Sequence, residues 1–284
     1  MKLIEIICYN CGSNLSELYD EENGFSLVKC QKCGLLYVNP RPSDKDISES
    51  LLYGMHEGKK TISTTGRYSR LRTRRYNKIL RDLYPDGRLK KKGASWLDIG
   101  CGFGEFMEAL MQYSDKTLTI KGSEPNIYKI NSAKKRHLDV DFLDLDKIEE
   151  KFDFVSLLNV YSHLPDPVMF LTKLSRLLKD DGELLIETGH SAHLPKPLHH
   201  KPYFLPDHLS FANKEIVENI LIRSGFKIIK TRIYRHPQFP AYNDIPEVGK
   251  EILKIILNKN GKISNFFPKE PNRDMYIRCV KSLS

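Results

Sequence analysis

The chain has 284 residues, of which 40% are hydrophobic and 29% charged, and its formal net charge at pH 7 is +9. This length allows one full α/β domain with an ample core and a small additional module. No apolar run of about 18 residues occurs, which argues against a membrane-spanning helix. The opening segment Leu3–Cys8 is short and carries an acid, so we expect a strand there rather than a signal peptide, and a cytoplasmic protein.

The positive charge is concentrated in one segment. Residues 59–92 contain 13 Lys and Arg but only two Asp, a net charge of +11, so the rest of the chain is near −2. Residues 67–84 are predicted to form an amphipathic helix. Its apolar face would carry Tyr68, Leu71, Ile79, Leu80 and Leu83. Its basic face would carry Arg67, Arg70, Arg74, Lys78 and Arg81. This face is either a solvated surface, a rim that attracts an anionic substrate, or a contact for nucleic acid.

Two cysteine pairs near the start predict a metal site. Cys8 and Cys11 form one Cys-x2-Cys turn, Cys30 and Cys33 form another, and 18 residues separate the pairs. Four thiolates with this spacing are typical of structural Zn²⁺, because they close a tetrahedral shell and leave no position for substrate. The alternative is two disulfides, which the reducing environment of the cytoplasm disfavours.

A glycine-rich turn follows an apolar run in Trp96–Gly104. Asp98 precedes the glycines Gly100, Gly102 and Gly104, and a second acid, Glu124, follows the next predicted strand. The glycines allow a tight turn and a close approach of backbone to ligand. The spacing differs from the G-x-G-x-x-G pattern of dinucleotide sites. The second acid can accept hydrogen bonds from hydroxyl groups of a ligand at this edge.

Strand and helix patterns alternate from residue 95 onward, which predicts an α/β fold with a mostly parallel sheet and helices on both faces. Strands are predicted over 95–99, 118–124, 140–143, 152–158, 183–188, 226–234 and 275–280. Helices are predicted over 103–113, 126–135 and 168–178, and Asn213 is expected to cap a further helix that runs to Ser224. In such sheets ligands bind at the carboxyl ends of the strands, where the glycine turn and the acid lie.

These motifs resemble the cofactor site of class I S-adenosylmethionine-dependent methyltransferases. The four-cysteine module followed by Leu-Tyr-Val-Asn-Pro-Arg-Pro at residues 36–42 resembles a bacterial group found among sugar and natural-product methyltransferases. The resemblance implies a Rossmann-like sheet with its last strand antiparallel, and S-adenosylmethionine as cofactor. The cofactor-binding residues it implies are Asp98, Gly100, Gly102, Gly104, Glu124, Asp144 and Asn159. Asp144 would meet the adenine amino group, or would be an ordinary turn acid.

The same resemblance points to candidate catalytic residues in two loops. The stretch at 159–167 is similar to the family loop beside the transferable methyl group and contains His163. Residues 205–211 resemble a family segment whose histidine is a base in deoxysugar methyltransferases, which makes His208 the first candidate for the base and His163 the second. Asp207 would orient a ring or bind a hydroxyl. Because the family's tyrosine is replaced by Leu205, oxygen methylation fits better than carbon methylation.

We therefore expect a zinc-binding module at 1–42, a basic helical linker or cap at 43–92, and a methyltransferase domain at 93–284. That domain would contain a histidine-rich substrate loop at 189–211, where a second metal is an alternative, and an insertion at 235–272. The first functional hypothesis is O-methylation of a sugar, nucleotide-sugar or glycan-related small molecule in carbohydrate biosynthesis, with an acceptor that can be anionic. The alternatives are a tRNA or rRNA methyltransferase and a non-catalytic cofactor-binding module.

Overall fold

A computed structural model describes residues 1–199, 201–234, 245–257, 259 and 273–282. The N-terminal part contains short strands and two helices. They are β1 (Leu3–Ile4), β2 (Ser16–Glu22), β3 (Phe25–Cys30), β4 (Leu36–Val38), β5 (Arg41–Pro42), α1 (Asp44–Tyr53), β6 (Met55–His56), β7 (Ile62–Ser63) and α2 (Arg70–Leu83).

The rest of the described chain alternates strands and helices, as predicted. The strands are β8 (Ser95–Ile99), β9 (Thr119–Ser123), β10 (Val140–Asp141), β11 (Phe152–Leu158), β12 (Leu178–Gly189), β13 (Ser210–Phe211), β14 (Phe226–Tyr234) and β15 (Asp274–Lys281). The helices are α3 (Glu105–Tyr113), α4 (Ile127–Lys134), α5 (Pro167–Leu177), α6 (Lys214–Arg223) and α7 (Ile245–Ile256).

Seven strands form one sheet in the order β10-β9-β8-β11-β12-β15-β14. The first five are parallel, and β15 is antiparallel to both β12 and β14. Every residue of β11 is buried, as expected for a parallel strand covered on both faces. The predicted Rossmann-like fold with an antiparallel last strand is confirmed.

The core on one face of the sheet is aromatic. Trp96 stacks on Phe154 with ring centroids 4.7 Å apart, and Tyr84 and Phe106 meet Trp96 edge-on. The helix α2 contributes Leu80 to the same buried cluster. The segment 43–92 is therefore packed into the domain, and α2 lies beside the sheet.

Element boundaries differ from the sequence expectations at a few places. The predicted helix at 103–113 begins only at Glu105, because the preceding Gly104 has φ +85°. Residues 179–182, expected as a turn, belong to β12. Leu71, expected on the apolar face of α2, is 56% exposed. The short apolar helix expected near 252–257 is the end of α7, whereas residues 235–244 and 260–272 of the insertion lie outside the described residues.

The N-terminal strands and the predicted substrate loop form one sheet. Its order is β13-β4-β3-β2, so Ser210 of the loop pairs with Tyr37 of β4. A buried cluster joins the two parts through the side chains of Phe25, Leu27, Leu36, Val38, Ala192, Tyr203 and Leu205. The domain boundaries at residues 42 and 92 stay a prediction, but the four-cysteine module is structurally continuous with the loop. Among the described residues, no helix has the length and apolar character that crossing a membrane requires.

Candidate functional site

Glycine is required in the turn after β8, because of both its backbone conformation and its packing. Gly100, Gly102 and Gly104 have φ values of +67°, +58° and +85°, a region that side chains disfavour. A Cβ on Gly100 would lie 2.3 Å from Val160, and one on Gly104 would lie 2.3 Å from Leu138. At Gly102 the same position meets no atom within 4 Å, so this part of the backbone is open to a ligand.

Asp98 is a buried carboxylate directly before the turn. It is 1% exposed and accepts a hydrogen bond of 2.5 Å from Ser156 Oγ, which in turn accepts one of 2.8 Å from Trp96 Nε1. Burial, together with the charges of Glu124 and Glu105, raises the pKa of Asp98 to about 7, although the hydrogen bond from Ser156 opposes this rise. A buried acid surrounded by other acids is stabilised by a cationic ligand. S-adenosylmethionine, which carries a sulfonium and an ammonium group, fits this charge pattern.

Glu124 follows β9 and lies across the turn from Asp98. Its carboxylate accepts hydrogen bonds from Gly102 N at 2.9 Å and from Asn126 N at 3.0 Å, and Lys129 Nζ lies 4.0 Å from Oε1. These contacts hold an acid of 4% exposure at the carboxyl edge of the sheet. In this position its remaining lone pairs can accept ribose hydroxyls.

The other two expected cofactor residues are exposed at the same edge. Asp144 accepts a hydrogen bond of 3.1 Å from Asp146 N and pairs with Lys147 at 3.1 Å, as a turn acid does. Asn159 comes directly after β11 with φ +57°, and its N–H donates to Glu187 O at 3.0 Å. Adenine contact by Asp144 and cofactor contact by Asn159 stay predictions.

The three predicted catalytic residues lie together. His163 Nδ1 donates to the carbonyl oxygen of Asp207 at 2.7 Å and lies 3.4 Å from its carboxylate Oδ1. The ring centroids of His163 and His208 are 4.8 Å apart. A fourth residue, His56 of β6, places Nε2 3.0 Å from Asp207 Oδ1. Sequence reasoning missed His56, because no motif surrounds it and only the fold brings β6 to this loop.

The charges within this cluster shift the pKa values of the two candidate histidines in opposite directions. Burial opposes the charged form of His163, but the Asp207 carboxylate overcomes this and raises the pKa of His163 above its ordinary value. Burial and the charge of His163 lower the pKa of His208 to about 4. Although burial alone would raise it, the pKa of the Asp207 carboxyl is held well below its usual range by His163, His56 and His208. His208 is therefore neutral at pH 7, and its Nδ1 donates to Tyr203 O at 2.8 Å.

The histidine cluster lies beside the glycine turn. Val160, whose side chain fills the space next to Gly100, is three residues before His163. The carbonyl of Ser162 accepts a hydrogen bond of 2.7 Å from Leu209 N, which joins the loops that carry His163 and His208. Lys129, the neighbour of Glu124, is also close enough to His163 to affect its pKa. The glycine turn and the histidine cluster thus lie close to each other.

The remaining described histidines of the loop have local contacts. The ring centroids of His190 and His193 are 4.2 Å apart, and His190 Nδ1 accepts a hydrogen bond of 2.9 Å from Lys214 N. His199 Nε2 donates to Leu194 O at 3.2 Å. His200 lies outside the described residues. The potential metal ligands that do converge in this loop region are His163, Asp207 and His208, which is the cluster already described.

The four N-terminal cysteines converge as expected. All four Sγ atoms lie within 4.8 Å of one another, with 3.5 Å between Cys8 and Cys33 and 3.5 Å between Cys11 and Cys30. Sulfur ligands at about 2.3 Å from a tetrahedral Zn²⁺ are about 3.8 Å apart, so the cluster has the size of a zinc site. The thiols are free rather than paired as disulfides. This donor set could hold a structural zinc.

The basic helix α2 docks next to the turn through the first acids of α3. Glu105 accepts hydrogen bonds from Ser69 N at 3.0 Å and from Arg72 at 3.3 Å, and Tyr68 OH donates to Glu108 at 2.7 Å. The five cations of the predicted basic face are all exposed, namely Arg67, Arg70, Arg74, Lys78 and Arg81. The structure therefore presents a positively charged surface beside the glycine turn.

This sheet, with a glycine turn between a buried aspartate and a second acid, defines a class I S-adenosylmethionine-dependent methyltransferase domain. A family model described as a methyltransferase domain matches residues 68–231, more than half of the chain, and the chain belongs to this family. A solved S-adenosylmethionine-dependent methyltransferase from Archaeoglobus fulgidus has the same fold, with a TM-score of 0.52 and 21% identity over 74% of this chain and 94% of that one.

Curated relatives match over shorter segments. A ubiquinone biosynthesis O-methyltransferase of Bradyrhizobium diazoefficiens is 32% identical over 101 residues, 34% of this chain and 40% of the relative. A tRNA U34 carboxymethyltransferase of Campylobacter curvus is 29% identical over 136 residues, 42% of this chain and 45% of the relative. The chain thus spans less than half of the length of these relatives, and they differ in acceptor.

Proposed function

We propose that this protein transfers a methyl group from S-adenosylmethionine to a hydroxyl oxygen of a sugar, nucleotide-sugar or glycan-related small molecule. The observation that carries the proposal is the cluster of His163, Asp207 and His208 beside the cofactor turn. A hydroxyl is a weak nucleophile at neutral pH, so its methylation requires a base at the reacting atom. The cluster supplies such a base next to the loop 189–211, which is long enough to bind the acceptor.

The donor would be held by Asp98, the glycine turn and Glu124. When bound, S-adenosylmethionine supplies an activated methyl group, which leaves the protein to position the acceptor and exclude water. Asp98 and its neighbouring acids favour the cationic end of the donor, and Glu124 is placed to accept the ribose hydroxyls. The backbone opening at Gly102 gives the ligand room at the turn.

The charges favour His163 over His208 as the base. A base is most effective when its pKa is close to the working pH, and the pKa of His163 is raised whereas that of His208 falls to about 4. The carbonyl oxygen of Asp207 accepts a hydrogen bond from Nδ1 of His163. Nε2 of His163 is therefore the nitrogen that would take the proton of the hydroxyl. His208, which ranked first from sequence, would then order the acceptor.

An RNA acceptor is the second candidate function, because one relative acts on tRNA and the basic face of α2 is exposed. Against it, the strand β2 that borders the loop 189–211 exposes Glu17 and Glu21, which repel a phosphate backbone. A non-catalytic module would have no need of a buried histidine and carboxylate cluster at the cofactor turn.

The test is release of S-adenosylhomocysteine with three acceptor panels: nucleotide sugars with methyl glycosides, catechols, and total tRNA. We expect turnover with the first panel and a fall in kcat of about 10²- to 10⁴-fold in His163→Gln. The control is His193→Gln, an exposed histidine of the loop 189–211, which should keep normal turnover. Turnover with tRNA alone would overturn the proposal, and unchanged kcat in His163→Gln would remove His163 as base.

A further inference from the structure

Phe204 has an unfavourable conformation without an evident folding benefit. Its φ of +61° lies in the left-handed region, where a bulky side chain is a rare outlier. The ring remains 47% exposed, so burial does not explain why a phenylalanine occupies this position. Residues held in such conformations cluster at ligand sites, where the surrounding contacts impose the geometry.

A carboxylate of the four-cysteine module imposes the geometry here. Glu22 lies at the end of β2. One of its carboxylate oxygens accepts a hydrogen bond of 2.7 Å from Tyr203 N, and the other accepts one of 3.0 Å from Leu205 N. Asn23 Nδ2 donates to Leu205 O at 3.2 Å. The two amides that flank Phe204 are thus bound by a single side chain, which fixes the backbone on both sides of the strained residue.

The same turn connects Phe204 to the catalytic cluster. Its carbonyl accepts hydrogen bonds from Asp207 N at 2.8 Å and from His208 N at 3.2 Å. The rings of Phe204 and His208 stand at 89° to each other with centroids 6.2 Å apart. The exposed phenyl ring therefore stands at the border of the site where the hydroxyl would be deprotonated.

We propose that Phe204 is the acceptor platform, stacking its exposed face on the apolar C–H face of a pyranose ring, and that Glu22 is the positioning residue that holds it. The proposal rests on the sugar O-methylation proposed above. Aromatic rings offer a rigid apolar face with a negative quadrupole, which suits polarised C–H groups, while the hydroxyls of the sugar turn toward polar neighbours. It also assigns the four-cysteine module a role in acceptor binding.

The first experiment measures ring binding without turnover. Saturation-transfer NMR is performed on the full chain loaded with S-adenosylhomocysteine, using the methyl glycosides of glucose, galactose and rhamnose, with catechol and glycerol as comparisons. We expect transfer to the ring protons of at least one glycoside, retained in Phe204→Trp and lost in Phe204→Asn. Asparagine tolerates a positive φ, so this variant should melt at or above the wild-type temperature. Transfer to catechol alone, or equal transfer in Phe204→Asn, would overturn the platform.

The second experiment tests Glu22. In Glu22→Gln one oxygen acceptor is replaced by a donor, so one flanking amide loses its partner. We expect faster hydrogen exchange in the peptide 201–211 and a KM for the glycoside raised at least 5-fold, with kcat changed less. Glu21→Gln is the matched control, because Glu21 is exposed on the same strand and its carboxylate contacts Ser26. Equal exchange and KM in the two variants would refute the role of Glu22.

The two proposals fail in different ways. If no sugar is methylated but Phe204→Asn still abolishes glycoside binding, the proposed function is wrong, whereas the role of Phe204 in binding the sugar ring is supported. If wild type and Phe204→Asn methylate a sugar with the same KM, the role of Phe204 is wrong, whereas the proposed function is supported.

Discussion

Replacing Asp98 by Asn should stabilise the protein without ligand while weakening donor binding. Burial raises the pKa of Asp98 from 3.8 to about 7. The folded state therefore holds a proton that the unfolded state releases between these values, and stability falls as the pH rises from about 4 to 7. The full shift corresponds to about 4 kcal/mol above pH 7. Asparagine has no such proton to lose and keeps an oxygen that can accept from Ser156.

The gain in melting temperature of Asp98→Asn should therefore be small near pH 4, increase through pH 7, and level off at about 8 °C at pH 8. The assay is thermal unfolding between pH 4 and pH 9 without ligand, paired with calorimetric titration of S-adenosylmethionine and S-adenosylhomocysteine. The variant should lose more affinity for the cationic sulfonium donor than for the neutral thioether product. Asp144→Asn, an exposed acid of the same edge, is the control. A difference in melting temperature that does not change with pH would refute the reasoning.

Three further outcomes are expected. Glu124→Gln should weaken S-adenosylmethionine binding at least 10-fold with unchanged melting, measured by calorimetry; equal affinity would exclude it from the ribose site. Cys30→Ser should lower the zinc content below one per chain by atomic emission and accelerate hydrogen exchange in 201–211; one retained zinc would contradict a four-thiolate site. Gly104→Ala should destabilise the fold by about 1–3 kcal/mol, because it adds a clash with Leu138 to a strained φ, and a normal denaturant midpoint would show that the turn can relax.

Local patterns predicted the parts of this protein that depend on neighbouring residues. Alternating apolar segments identified the strands of the central sheet, and Asn213, expected as a helix cap, does accept from Ile216 N at 2.9 Å. The glycine turn and the cysteine pairs were recognisable because their function requires fixed spacing. These features were found because each is encoded within a few residues.

The remaining features depend on contacts between distant segments. His56 reaches Asp207 only because β6 folds back across the site, and no spacing rule connects the two residues. The hydrogen bonds from Tyr203 N and Leu205 N to Glu22 could not be predicted from the sequence either, because Glu22 is one of several acids on β2. The choice between His163 and His208 also required structure, because burial and the Asp207 charge separate their pKa values.

The pairing of β13 with β4 has a consequence for how this protein could be re-engineered. Strand β4 of the N-terminal segment 1–42 pairs with strand β13 of the loop 189–211, so each strand provides hydrogen-bond partners for the other. Exchanging residues 1–42 for the corresponding segment of another methyltransferase would remove strand β4, and Ser210 and Phe211 of β13 would lose the strand with which they pair. A functional chimera would have to exchange residues 1–42 together with residues 189–211. These two segments are far apart in the gene but form one sheet and one buried cluster.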